Sequence, residues 1–248
     1  MTLFNIYYIL FIGGDIAGFR LALPFFIICI LRWFSLLSEN LLLVFELIGT
    51  VAFAASGAMV GLSKKMDIFG IAVLGIVTSV GGGIIRDLVL GNTPPATFQN
   101  PVYALVAIFV SLIIFIPAVR RFLFKKQSIY EKTMRLMDSI GLGIFTAVGI
   151  EIAYLAGHRS VFLLVFVGMI TGIGGGVLRD VLSGNTPYIF VKHFYATASL
   201  IGAVVFIILW NFSGQSAAVF GCAFVVTALR LLAARFRWSL PKAKEDFE

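Results

Sequence analysis

Charge is scarce in this chain. Asp, Glu, Lys and Arg make up 12% of 248 residues, about half the share of a soluble globular domain, which argues against a soluble fold from the outset. Cysteine is scarcer still: Cys29 and Cys222 sit far apart inside apolar runs, which excludes a disulfide framework and reads as two buried, inert thiols. The two histidines, His158 and His193, each stand alone near a loop end. No His/Cys pair has metal-ligand spacing, so neither a metal nor another cofactor is expected. No Ser-centred elbow and no P-loop occurs; no catalytic residue is assigned, and the chain is not expected to be an enzyme. The glycine-rich strings are no dinucleotide site either, because that fingerprint needs a preceding strand and an acidic residue about 20 positions later on a second strand.

What the sequence has in quantity is apolar length. Hydrophobic residues reach 60%, and stretches near the roughly 20 residues that cross a hydrocarbon core lie at about Leu41–Leu62, Ile68–Ile85, Pro101–Val119, Met134–Gly157, Val161–Leu178, Phe194–Trp210 and Ser216–Ala234. The expected fold is an all-α polytopic membrane protein. Its 25 Phe and 7 Tyr are lipid-facing and interfacial material. The net charge of +7 then marks membrane topology, and nucleic acid is not an expected partner.

The chain repeats itself. Residues 80–94 align with residues 173–187 at a constant offset of 93, and nine of the fifteen positions are identical, among them Gly-Gly-Gly-x-x-Arg-Asp and Gly-Asn-Thr-Pro. Upstream, Glu46-x-x-Gly49-x-x-x-Phe53-x-x-x-Gly57 matches Asp138-x-x-Gly141-x-x-x-Phe145-x-x-x-Gly149 at an offset of 92. The organisation expected is an extension or extra helix over 1–38, a three-helix repeat over 39–126, a second over 127–213, and a seventh helix with a basic tail over 214–248. An odd number of crossings per unit inverts the second relative to the first.

Basic residues set the orientation. Arg120, Arg121, Lys125, Lys126, Lys132 and Arg135 crowd the loop between spans three and four, which places that loop in the cytoplasm. Alternation outward adds Lys64 and Lys65, Arg179 and Lys192, and Arg230, Arg235, Arg237, Lys242 and Lys244 to the same side, leaving Arg86 and Arg159 opposite. The first repeat is thus expected to start outside, and the carboxyl terminus to lie in the cytoplasm of a bacterial inner membrane. Residues 1–37, broken by Gly13-Gly14-Asp15 and carrying Arg20 and Arg32, fit this scheme poorly: an eighth span, an interfacial helix and an upstream extension all remain open. The basic loop also suits anionic lipid head groups, though topology alone accounts for it.

Three glycines near the end of an apolar span weaken a helix by about 1 kcal/mol each relative to alanine, and broken helix in a membrane is tolerated only inside protein or along a watery cavity. Gly81, Gly82 and Gly83 with Gly174, Gly175 and Gly176 therefore suggest two interrupted helices meeting near a shared axis, where transport sites form. Isolated glycines such as Gly75, Gly168 and Gly172 suit close packing. In Arg86-Asp87 and Arg179-Asp180, helical neighbours point about 100° apart, so good internal pairs are not expected and partners elsewhere are implied. Glu46 and Asp138 are the candidates; the alternative puts the Arg-Asp pairs at the interface and the two acids at helix starts. Gly-Asn-Thr-Pro has the chemistry of a turn that stops a helix and launches an extended segment. Glu151, whose counterpart is Met59, reads either as a pore or proton-linked carboxylate or as a solvated boundary residue.

The doubled Gly-Gly-Gly-x-x-Arg-Asp, the Glu46 and Asp138 helix starts and the three-plus-three-plus-one span count closely resemble the prokaryotic trimeric intracellular cation (TRIC) channels, a family overlapping the bacterial glycine transporter domain proteins. The resemblance covers about Asn40 to Arg235 and is carried by two copies of one specific motif. It implies a homotrimer with a pore in each subunit, lined by the second and fifth spans where Gly81–Gly83 and Gly174–Gly176 bend them, passing potassium and sodium. The name of the overlapping family implies glycine uptake instead. Eukaryotic members are associated with a lysine- and arginine-containing lipid-binding motif in the second helix; this sequence has the Gly-Arg-Asp form there, so phosphoinositide control is not carried over.

Overall fold

The computed structural model describes residues 41–191, 194–236 and 238. The extension over 1–38 with Cys29, His193 and the basic tail from residue 239 lie outside the described residues. The chain divides into two units, Met1–Leu43 and Val44–Glu248; apart from the first three residues of α1, everything below lies in the second. Its regular structure among the described residues is entirely helical: α1 (Leu41–Ser63), α2 (Ile68–Leu90), α3 (Ala96–Gln99), α4 (Val102–Phe115), α5 (Pro117–Phe124), α6 (Gln127–Leu155), α7 (Val161–Leu182), α8 (Tyr188–Val191) and α9 (Ala196–Phe236).

The boundaries follow local chemistry. Asp67 starts α2 by accepting a hydrogen bond from the Gly70 N–H at 2.7 Å, one of the orphan donors of a first turn. Gly91, at φ 76°, ends it in the left-handed conformation, the usual glycine stop. Gly184 repeats that conformation at φ 67°. Each turn is followed by a one-turn helix, α3 or α8, in place of the extended segment expected from Gly-Asn-Thr-Pro. The third span is also shorter than expected: α4 ends at Phe115, and the chain turns by 72° into α5. Pro117 causes this, because a residue before proline is pushed out of the helical region; Ile116 sits at ψ 131°.

A straight α9 of 41 residues would be about 60 Å long, twice the hydrocarbon thickness. It folds back at Gly214, which takes φ 83° and ψ −179°. Gly202 packs against Cys222 and Val226, and Gly221 against Leu209, so the segments 196–213 and 215–236 run antiparallel as a hairpin. With α4 and α5 taken as one bent span and α9 as two segments, the described residues supply seven stretches that can cross a membrane.

Glycine and small-residue contacts place the two repeats about a pseudo-twofold axis. Gly57 of α1 lies against Thr78 and Gly75 of α2, while Gly149 of α6 lies against Thr171 and Gly168 of α7. The repeats meet reciprocally: Gly49 packs on the Phe145 ring and Gly141 on Phe53, with the two rings 5.3 Å apart between centroids. Paired small residues permit this approach, which is how helices associate where lipid removes the hydrophobic drive between them.

Candidate functional site: two Tyr-acid-Arg-Asp clusters flanking a glycine crossing

The triplets do not interrupt their helices. α2 and α7 run unbroken through Gly81–Gly83 and Gly174–Gly176, contrary to the expectation of broken helices, and the physical reason is packing. A methyl group on Gly82 would run into the Thr171 carbonyl oxygen, and one on Gly175 into the Thr78 carbonyl oxygen. These contacts are reciprocal, since position 78 corresponds to 171 and 82 to 175. They show α2 and α7 crossing antiparallel, backbone on backbone. Gly174 is also tight against the Gly82 Cα, at 3.2 Å from an ideal Cβ position, whereas Gly83 meets only the Arg86 head group at 3.8 Å. Gly81 faces the Leu178 side chain and borders an apolar cavity of about 520 Å³ between α2, α4 and α7, with Val77, Val80, Ile84 and Pro101 among its walls.

Arg86 and Arg179 stand beyond the crossing on opposite sides. Each is six residues past its centre at Val80 or Ile173, so at 1.5 Å per residue the two guanidinium-bearing positions lie roughly 18 Å apart along the helices. Each heads a cluster. In the second repeat, Arg179 Nη1 donates to Asp138 Oδ1 at 2.7 Å and to Ser56 Oγ, and Arg179 Nε donates to Asp180 Oδ1 at 2.9 Å. In the first, Arg86 Nε donates to Asp87 Oδ1 at 2.8 Å, and Arg86 Nη1 lies 3.9 Å from Glu46 Oε1. Glu46 and Asp138 are thus the partners expected on the neighbouring helix.

The expectation that adjacent Arg and Asp make no good pair is wrong. Both aspartates turn toward the chain that follows: Asp87 Oδ2 accepts from the Ala96 N–H at 2.9 Å, and Asp180 Oδ2 from the Tyr188 N–H at 3.0 Å. Each thereby holds the first residue of α3 or α8 and closes its turn. That leaves Oδ1 facing the arginine stem, where the Nε edge passes it on the way to the other helix. The rule for exposed neighbours on a helix surface fails here because the two side chains are buried and aimed at different targets.

A tyrosine completes each cluster. Tyr103 donates to Glu46 Oε2, and Tyr195 lies 3.4 Å from Asp138 Oδ1. These residues were not singled out above, yet their offset of 92 equals that of Glu46 and Asp138, so extending the repeat alignment would have found them. Arg230 had no such signal, since it comes from the unduplicated end of α9. Its Nη2 donates to Asp138 Oδ2 at 3.0 Å, and its guanidinium lies over the Tyr195 ring at 4.5 Å.

The two clusters differ in tightness. Asp138 and Arg179 are both 0% exposed, and Asp138 is shared by two arginines; Glu46, whose side chain is 16% exposed, holds Arg86 only at 3.9 Å. Burial pushes the Tyr188 phenol, in the one-turn α8, above the ordinary tyrosine value. Glu151 is not a solvated boundary residue. It is 1% exposed, takes a hydrogen bond from Gln215 beside the Gly214 turn, and leaves Oε2 buried without a partner. Among the described residues, no group of three or more His, Cys, Asp or Glu could hold a metal ion, and Cys222 is a buried free thiol.

Long apolar helices with two inverted charged clusters among the described residues define a polytopic α-helical membrane protein of the inverted-repeat transport class. The family model described as "Glycine transporter" matches twice, over residues 43–118 and 135–211. A UPF0126 membrane protein of Deinococcus radiodurans is 38% identical over 79% of this chain and 89% of its own length. The UPF0126 inner membrane protein YadS of Escherichia coli K12 is 36% identical over 79% and 91%. Among solved structures, one described under "Structural basis for conductance through TRIC cation channels" matches with TM-score 0.72 and 38% identity over 83% of this chain and 98% of that one. The TRIC orthologue from Rhodobacter sphaeroides matches with TM-score 0.73 and 33% identity over 80% and 100%. The chain belongs to the Glycine transporter (UPF0126) family, and its fold is that of the solved TRIC channels it matches.

Proposed function

We propose that the protein is a channel for monovalent cations, potassium and sodium, assembled as a homotrimer with a separate pathway in each subunit along the α2–α7 crossing. The observation that carries this reading is the reciprocal contact of Gly82 with Thr171 and Gly175 with Thr78, flanked on each side by a buried arginine cluster. The contact leaves no room for an ion, so conduction requires α2 and α7 to part there. The triplets then act as a smooth, side-chain-free seam rather than as fixed breaks, and the backbone carbonyls of Thr78 and Thr171, which meet Gly175 and Gly82 at the crossing, would face the opened path. Glu46, Arg86 and Asp87 would guard one mouth and Asp138, Arg179 and Asp180 the other. The solved relatives described as cation channels support this reading, as does the inverted architecture.

The family name favours a second reading, a carrier for glycine or a similar zwitterion, since each cluster offers a guanidinium and carboxylates for the two ends of an amino acid. Reconstitution in planar bilayers separates them. Unitary currents in potassium chloride with no amino acid present are expected. Saturable, concentrative glycine uptake without unitary conductance would overturn the channel. The trimer is checked by light scattering of the purified protein, where a mass near three times 27.0 kDa is expected after subtracting detergent. The orientation, first repeat starting outside and carboxyl terminus in the cytoplasm, rests on the basic loops.

A further inference from the structure

α5 is a short basic helix set at 72° to α4. Leu123 anchors it, buried in the same apolar cluster as Ala58, Met59 and Ile71 of α1 and α2, with Leu62 and Met66 packed alongside. This fixes α5 against the turn that carries Lys64 and Lys65. Arg120, Arg121, Leu62 and Phe124 line a cleft of about 370 Å³ there. Lys125 and Lys126 follow immediately, and all six cations are exposed.

None of these six takes part in an ion pair among the described residues. The nearby acids are otherwise engaged: Asp67 caps α2 through Gly70, and Glu131 takes a hydrogen bond from Gln127. Topology accounts for positive charge on this side of the membrane. It does not account for two arginines bordering a cleft whose other walls are apolar, at the level where the spans end.

We propose that this cleft binds the phosphodiester head group of an anionic phospholipid. The guanidinium groups of Arg120 and Arg121 would take the phosphate oxygens, for which a planar fork of donors is suited. Leu62 and Phe124 would cover the glycerol and the first methylenes. Phe122, 64% exposed on the same short helix, would sit among neighbouring acyl chains, as aromatic residues do at the bilayer boundary. The assignment is independent of what the protein transports.

The test is native mass spectrometry of the full chain in detergent, titrated with phosphatidylglycerol and, in parallel, with phosphatidylcholine of identical chains. Tighter binding of phosphatidylglycerol is expected, falling by about tenfold or more in R120Q/R121Q, since each basic residue near a surface contributes about fivefold. R159Q, which removes an exposed charge elsewhere, is expected to leave it unchanged, and L62W, which fills the cleft but keeps every charge, to weaken it. Equal binding of the two lipids overturns the proposal, as does undiminished binding in R120Q/R121Q or L62W, or an equal loss in R159Q. Displacement of the lipid by millimolar inorganic phosphate would overturn it in favour of a soluble phosphate site.

Discussion

Two adjacent glycines of the same motif have opposite tolerances. Gly82 and Gly175 each lie against a backbone carbonyl that cannot swing aside, so G82A and G175A are expected to force the helices apart and cost about 1–3 kcal/mol, the usual price of overpacking. Gly83 has ordinary van der Waals room, and G83A is expected to be neutral or stabilising by up to about 1 kcal/mol through helix propensity. Thermal unfolding in detergent distinguishes them, and equal losses at positions 82 and 83 would refute the crossing. Asp138 poses a different risk. D138N would leave Arg179 and Arg230 buried without their shared carboxylate, a loss of roughly 3–5 kcal/mol. E46Q should cost less, because Glu46 is partly exposed and its arginine contact is long. The same unfolding measurement checks the order, and E46Q being the more damaging would contradict the asymmetry of the clusters.

The elements are shaped by where the chain is made to turn. Gly214 holds a backbone conformation, φ 83° and ψ −179°, that is essentially closed to residues with a Cβ. G214A is therefore expected to destabilise the hairpin by about 1–3 kcal/mol and to loosen the Gln215–Glu151 contact beside it. Faster deuterium uptake at residues 210–218 would report this; unchanged exchange and stability would mean the turn is not constrained by its glycine. The aspartates of the two motifs act at this scale too. By binding the first N–H of α3 and α8, Asp87 and Asp180 tie the end of one span to the start of the next. The Gly-Asn-Thr-Pro turn is thus a structural part of each charged cluster.

For the whole molecule the consequence of inversion is directly measurable. Thr93 and Thr186 are equivalent, exposed positions in the two turns, and the antiparallel crossing of α2 and α7 sends those turns to opposite faces. With Cys29 and Cys222 replaced, a membrane-impermeant maleimide applied to intact cells is expected to label T93C and spare T186C until the membrane is opened. Labelling of both from one side would sink the inverted arrangement. Much of this architecture was legible in the chain itself. Apolar length fixes the crossings because lipid cannot hydrate a backbone, the offsets of 92 and 93 expose the duplication, and an odd span count with asymmetric loop charge makes the copies inverted. Glu46 and Asp138 could be matched to the arginines because both lie at corresponding places in an internal repeat. What the sequence left undecided depends on contacts between distant segments. Gly-Gly-Gly has the same composition whether it breaks a helix or lets two helices touch, and only the presence of Thr171 against Gly82 decides for the second. Arg230 entered the Asp138 cluster from a helix with no repeat partner, so no periodicity announced it. The adjacent Arg-Asp pairs looked incompatible until tertiary structure gave each aspartate a second target. The doubled motif determined that there would be two charged clusters; packing about the pseudo-twofold axis decided how tightly each is held.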